Sequence, residues 1–430
     1  MLPQLPQIGP YFRSDVNRRN YWLAVANGVI SQGAETFTEP YVVLTYFVSL
    51  LTSSKFLIGL VAPIRLGGWF LPQLLISEFV QRQERKLPLY RVLMVWRIGS
   101  WAVLVAALWV VQDPVVLLVT FLVILTVKRL ADGVGGLCFM DVVGKVIPRR
   151  RRGTFFGTRR LLGGIVALVA SGIVVWALSN GPIWGFPREF ALLFSLFLVG
   201  GAIGLYAFTL IEEPAEKVTS HHIGMAAQMR RARRLIAENR TYGRFLLARV
   251  LMVIADMAIP FYIVFARERL DAPASLVGVY LMVMMLAGLM VNVWAGRASD
   301  RRGNRYLLLV ACLLGLASPI LALLMGWWHS APLLFAVVFA INGMYNTCAI
   351  LAHINFVLDI APSGDRPIYV GSANTLVGVA VLASSGGGAL AGWLGVEVLF
   401  GIAVVMLLAA LVVVTTMQEP RLEQGEGALR

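Results

Sequence analysis

The chain has 430 residues, of which 58% are hydrophobic and 14% charged, with a formal net charge of +14 and a mean hydropathy of +0.77. A soluble domain carries about 25% charged residues, so a soluble enzyme or regulatory domain is excluded. Many apolar runs last 18 residues or more, and about 20 such residues cross ~30 Å of hydrocarbon. The chain therefore reads as an all-α polytopic membrane protein.

Arginine supplies 32 of the 37 basic residues, a bias that in a soluble protein would suggest nucleic acid. Here the basic residues sit in short loops between apolar runs and report orientation, so no nucleic-acid partner is expected. Cys138, Cys312 and Cys348 lie inside apolar runs without paired or metal-ligand spacing. They read as small buried hydrophobes, and neither metal nor cofactor is expected. Residues 1–20 are polar and lead straight into an apolar run, without the pattern of a cleavable signal.

Apolar windows and turn signals predict twelve spans, at about 21–51, 55–80, 88–111, 115–146, 154–179, 189–211, 244–266, 273–297, 305–327, 331–360, 368–394 and 396–417. They group into a six-helix bundle over 21–211, a linker over 212–243 and a second bundle over 244–417, flanked by tails 1–20 and 418–430. Of the Lys and Arg residues, 28 fall on the side of the termini, four on the other and five inside spans. The positive-inside rule then places both termini in the cytoplasm, in the inner membrane of a prokaryote.

In chain order, span one carries Gln32, Glu35 and Glu39 on one helical face. Span four carries Lys128, Arg129 and Asp132, again on one face. The linker stretch 225–239 interleaves Arg230, Arg231, Arg233 and Arg234 with apolar residues. It reads either as an amphipathic helix on an anionic leaflet or as a solvated helical linker. Span seven carries Asp256, and span ten carries Asn342, Tyr345, Asn346 and His353. Charges at membrane depth are costly and are functional candidates by default. Arg65, Arg97 and Arg249, also inside spans, read as structural partners for such carboxylates.

The halves repeat. At an offset of 214, Pro148, Arg152, Gly157, Leu162, Gly164, Ser171 and Gly172 match Pro362, Arg366, Gly371, Leu376, Gly378, Ser385 and Gly386. Pro40 of span one pairs with Pro260 of span seven at an offset near 220. Two repeated six-span halves are the sequence mark of a transporter whose bundles rock about a central site. The offset also sets Lys128 on Asn342 and Asp132 on Asn346, so one half is expected to supply charge and the other hydrogen bonds.

The segment Gly296-Arg-Ala-Ser-Asp300-Arg301-Arg302-Gly303-Asn304-Arg305 resembles the cytoplasmic loop signature of the major facilitator superfamily, Gly-x-x-x-Asp-Arg-x-Gly-x-Arg. Its first-half counterpart, Ser77 to Lys86, keeps charges but not glycines. The run Leu125-Thr-Val-Lys128-Arg129-Leu-Ala-Asp132-Gly133-Val-Gly135-Gly136 is similar to the superfamily's fourth-helix motif, with Asp132 where glutamine is usual. In span five, Gly163 and Gly172 keep the spacing of the antiporter motif but lack its closing Gly-Pro. The resemblance implies twelve helices in two pseudo-symmetric bundles, with spans one, four, seven and ten lining a central cavity. It further implies a gating loop at Gly296, Asp300, Arg301, Gly303 and Arg305, in which Asp300 caps the next helix and pairs with the arginines.

No phosphate loop, zinc-protease motif or nucleophile elbow occurs, so the chain is not expected to be an enzyme, and transport would draw on an ion gradient. The expectation is a monomeric secondary transporter of a small organic solute by alternating access, coupled to protons. Desolvation favours the neutral carboxyl, which makes Glu35 and Glu39 candidate proton carriers. Lys128 and Arg129 favour a solute with an anionic group. Two alternatives stay open: efflux of amphipathic or cationic compounds, and a transporter-like protein that assembles or scaffolds other molecules in the membrane.

Overall fold

The computed structural model describes residues 15–148, 151–215, 225–361 and 366–420. Pro362 and the outer parts of both tails lie outside them. Twelve spans cross in two six-helix halves. Ten of them, from Leu87–Val110 to Val396–Thr415, are long and apolar enough to cross a membrane. The first two, Asp15–Leu51 and Lys55–Gln81, are broken into shorter pieces.

The breaks follow from backbone chemistry. Span one runs as a helix over Asp15–Thr36 and resumes as a π-helical turn over Pro40–Leu44 and a helix over Thr45–Leu51. Pro40 has no N–H to continue the ladder. The Glu39 carboxylate accepts from Val42 N at 2.7 Å, and Thr45 Oγ1 donates to the Pro40 carbonyl at 2.6 Å. Irregular backbone at this depth is thereby satisfied inside the protein. Span seven interrupts in the same way, with Arg240–Ala255 and Phe261–Arg269 flanking a 3₁₀ turn and Pro260. Span eleven also breaks, between Arg366–Ser384 and Gly387–Leu394, whereas its partner span five runs unbroken over Arg152–Ser179.

The 214-residue offset holds at helix ends. Span four ends at Val146 and span ten at Ile360; span five begins at Arg152 and span eleven at Arg366. In the linker, Met225–Glu238 is helical. Leu235 and Ile236 pack on the core of the second half, leaving Arg230, Arg233 and Arg234 exposed.

Span five (first half) packs along span eight, Ala274–Arg302 (second half), and span two packs along span eleven. A Cβ placed on Gly59 would lie 2.7 Å from the Gly388 Cα, so two backbones touch there where only glycine fits. Beside this contact, Lys55 pairs with Glu268. Arg267 donates to the Ser49 carbonyl and hydroxyl at 2.6 and 3.0 Å. Among the described residues, these polar ties between the halves all lie at the end remote from the linker. At the linker end, Arg19–Glu212, Lys145–Glu213 and Arg305–Glu419 each stay within one half. The molecule is therefore closed away from the linker and held together there by backbone contact and charge.

Gly388→Val should force this closed end apart, at about 1–3 kcal/mol. The melting temperature falls and the distance between spin labels at Ser54 and Asp271 lengthens; an unchanged distance would contradict the contact.

Candidate functional site

Asp132 organises the first half. It lies on span four, Pro114–Val146, and is 2% exposed. Lys128 Nζ lies 2.7 Å and Arg129 NH1 3.2 Å from its Oδ2. Arg97 of span three approaches Oδ1 to 2.5 Å through Nε, off the angle of a hydrogen bond, so this contact is an ion pair. Three cations thus meet on one buried carboxylate. The Lys128 ammonium also lies 4.9 Å from the Phe197 ring centroid and 5.9 Å from that of Trp101, where ring quadrupoles favour a cation. Glycine lets the helices close around the charges: a Cβ on Gly68 would lie 2.6 Å from the Arg129 Cβ.

Span one presents the edge of this cluster. Gln32 and Glu35 are exposed, and Glu39 is buried. Glu35 lies 3.8 Å from Arg65 NH2; the two side chains are 46% and 29% exposed. Glu35 is also within Coulombic reach of Arg129 and Lys128. A cavity of about 30 Å³, lined in part by Ser31, Glu35, Arg97, Trp101, Lys128 and Phe197, reaches into the bundle; that is room for one or two waters. Arg65, Arg97, Lys128 and Arg129 stand against Glu35, Glu39 and Asp132. Four positive and three negative charges leave a surplus of one positive charge.

The second half is built differently. Asp256 accepts from the Tyr345 hydroxyl at 2.6 Å. Arg249 NH1 lies 2.6 Å from His353 Nδ1. A guanidinium can only donate, so Nδ1 accepts and the imidazole is neutral with its proton on Nε2, which is buried without a partner. Arg249 and Asp256 cancel. Asn342 is buried, like Lys128 at the matched position, whereas Asn346 is exposed where its match Asp132 is buried. Tyr41, next to the break at Pro40, is within Coulombic reach of Asp256 and Arg249 on one side and Glu39 and Arg65 on the other. Sequence reasoning passed over Tyr41; its one signal was adjacency to the repeated proline. Arg97 and Arg249, read as structural partners, are central members of the two clusters.

The loop between spans eight and nine departs from the expected pairing. Gly303 turns the chain at φ 85°, but Asp300 in the last turn of span eight is exposed and pairs with no described residue. Gly296 lies on the same helix, and a Cβ there would meet nothing within 4 Å. Span nine, Asn304–Trp327, is capped by Glu419, whose Oε2 accepts from Arg305 N at 2.8 Å. The Arg305 side chain donates to the Val414 and Thr415 carbonyls at 3.2 and 2.7 Å. Asn304 donates to Asp359 at 2.6 Å. In the first half Glu213 accepts from the Lys86 and Leu87 N–H groups, both at 2.8 Å, and from Lys145 at 2.9 Å. Each carboxylate precedes a proline, Glu213-Pro214 and Glu419-Pro420, a repeat that escaped the sequence reading. The Ser77 and Glu78 side chains lie outside the described residues.

The sequence profile of the Major Facilitator Superfamily matches residues 24–385, and again 245–429. The chain belongs to this superfamily. Solved superfamily-like structures share its fold. A D-xylose–proton symporter is 13% identical with a TM-score of 0.70, over 94% of this chain and 99% of that one. The nucleoside transporter NupG is 13% identical with a TM-score of 0.66, over 93% and 99%. The human organic anion transporter MFSD10 is 15% identical with a TM-score of 0.61, over 93% and 99%. No curated protein matches the sequence significantly. The superfamily fold identifies a transporter architecture and an integral membrane protein; the chemistry of its cargo has to come from the side chains.

Removing the charge of Asp132 strands three buried cations, and breaking a buried pair costs about 3–5 kcal/mol. Asp132→Asn should therefore cut thermal stability far more than Glu35→Gln, whose partner is half-exposed; equal losses in a melting experiment would contradict the network.

Proposed function

We propose that this protein is a secondary active transporter that carries a small organic solute with an anionic group, coupled to protons, by alternating access. The observation behind this reading is the half-exposed Glu35 at the edge of an otherwise buried cluster with a surplus of positive charge. Protonation of Glu35 raises that surplus from one to two. An anion is then held better when the proton is bound, so the two favour moving together. Lys128 and Arg129 are engaged by Asp132, and Arg65, the more exposed cation, is the first donor an anionic group would meet. A cationic solute would instead compete with the proton for Glu35, which separates the efflux alternative.

In this reading Gln32, Glu39, Asp256, Asn342, Tyr345, Asn346 and His353 contribute polar contacts from the two halves. His353 Nε2–H is a spare donor if the bundles rearrange. The bundles 21–211 and 244–417 rock against each other, and the loop Gly296–Arg305 steadies the second bundle. The basic-loop bias supports both termini in the cytoplasm of a prokaryotic inner membrane. The closed end then faces outward, and the described state opens inward. A monomer contains both halves and suffices.

In proteoliposomes, labelled organic anions should exchange by counterflow and accumulate with an inward proton gradient. Glu35→Gln should abolish gradient-driven accumulation while retaining counterflow. Accumulation that survives this substitution would refute the coupling. Arg65→Gln should weaken the anion by about tenfold or more; unchanged affinity would refute the anionic class.

A further inference from the structure

At the linker end of the second half, spans eight and nine and the segment after span twelve enclose a cleft of about 390 Å³. Arg301, Arg302, Arg305, Tyr306, Leu309 and Glu419 are among its lining residues. We propose that this cleft binds the headgroup of an anionic phospholipid, with the phosphate on the arginines and the start of an acyl chain on Leu309. This is a site apart from the transport pathway and independent of the cargo.

The argument rests on chemistry that changes with depth. At the mouth, Arg301 is exposed and has no partner among the described residues. Arg302 lies over the Tyr306 ring at 4.9 Å and donates to its hydroxyl at 2.9 Å, which holds a guanidinium at the cleft wall. Arg297 is exposed one turn earlier on the same helix. Among the lining residues, three arginines face the two carboxylates of Asp300 and Glu419, the Glu419 Oε2 accepting from the Arg305 N–H while its Oε1 is buried without a hydrogen-bond partner. The lining residues carry one net positive charge, Arg301 and Arg302 have no carboxylate partner among the described residues, and the cleft lies where phosphates of a bilayer lie. One turn inward, Leu309 is half-buried and apolar, and the same face of span nine continues to Leu313, 55% exposed, and Ile320, 41% exposed. Arginine forks match phosphate oxygens, tyrosine suits the interface, and the leucines suit a chain. Free phosphate would use only the first of these three layers. Basic pockets between spanning helices recognise lipid headgroups in this way.

The test uses the full-length protein in phosphatidylcholine nanodiscs, with phosphatidylglycerol added and lipid adducts counted by native mass spectrometry. The wild type should retain phosphatidylglycerol, gain melting temperature from it by mass action, and gain nothing from extra phosphatidylcholine. Arg301→Gln/Arg302→Gln should weaken retention at least about tenfold. Leu309→Trp, which fills the apolar floor and leaves the charges alone, should do the same. Arg230→Gln/Arg234→Gln on the linker helix should leave retention unchanged; an equal loss there would reduce the effect to general basic charge and overturn the site. Displacement by millimolar inorganic phosphate would overturn the lipid assignment in favour of a free anion. Equal retention of both lipids, or full retention by the cleft variants, would overturn the proposal outright.

Discussion

Asp132 carries its negative charge at a depth where an isolated carboxylate would cost several kcal/mol in lost hydration, and three cations from two helices carry theirs around it. None of the four is stable there alone, so each one conditions the position of the others. Arg97 ties span three to span four. The ring faces of Trp101 and Phe197 bring spans three and six against Lys128. Gly68 lets span two approach Arg129 closely. The first half therefore holds a charge arrangement beside its apolar core of Phe47, Phe121, Phe190 and Phe194, and Glu35 with Arg65 forms the more exposed edge of that arrangement.

The two halves share a backbone and divide the chemistry. Helices begin and end at matched residues, Val146 with Ile360 and Arg152 with Arg366, and prolines interrupt spans one and seven alike. A carboxylate before a proline docks on the start of span three in one half and span nine in the other. Yet Lys128 is matched by a neutral asparagine, and the second half replaces a surplus of charge by a cancelled pair, Arg249 and Asp256. A symmetric frame allows two mirrored conformations of similar energy. Under the proposed coupling, the asymmetric charge set would let a proton or an anion act mainly on one bundle.

Much of this was legible in the sequence, and the unreadable parts have physical reasons. Span positions follow from hydropathy, because lipid demands long apolar helices whatever their partners. The groups on spans one, four, seven and ten were visible as charged or polar residues out of place. Their pairing was not: Arg97 reaches Asp132 from another helix, and a spacing rule sees only one helix at a time. For the same reason Asp300 was expected to cap span nine, where Glu419, 114 residues beyond the capped Arg305, does so. The Glu-Pro repeat was present as plain text, but in a polar boundary where apolar periodicity carries no signal. The break at Pro40 was foreshadowed by the residue; the nearness of Tyr41 to Asp256 and Arg249 depends on the second half.

The broken, polar character of the first two spans bears on how the chain enters the membrane during synthesis. Among the described residues, the ten helices that qualify as membrane-crossing by length and apolarity all lie from Leu87 onward. Span one carries Gln32, Glu35 and Glu39 and a proline break, while charged residues at a helix centre resist insertion. Arg65 of span two, the cation beside Glu35, follows about 30 residues later, and the charges of span four about 90 residues later. Until Arg65 follows on span two, Glu35 and Glu39 have no countercharge in lipid, so the stable lodging of span one waits for span two and is completed as the span-four cluster forms. The charge network is in this sense a delayed anchor: span one is secured by residues that the ribosome adds after it.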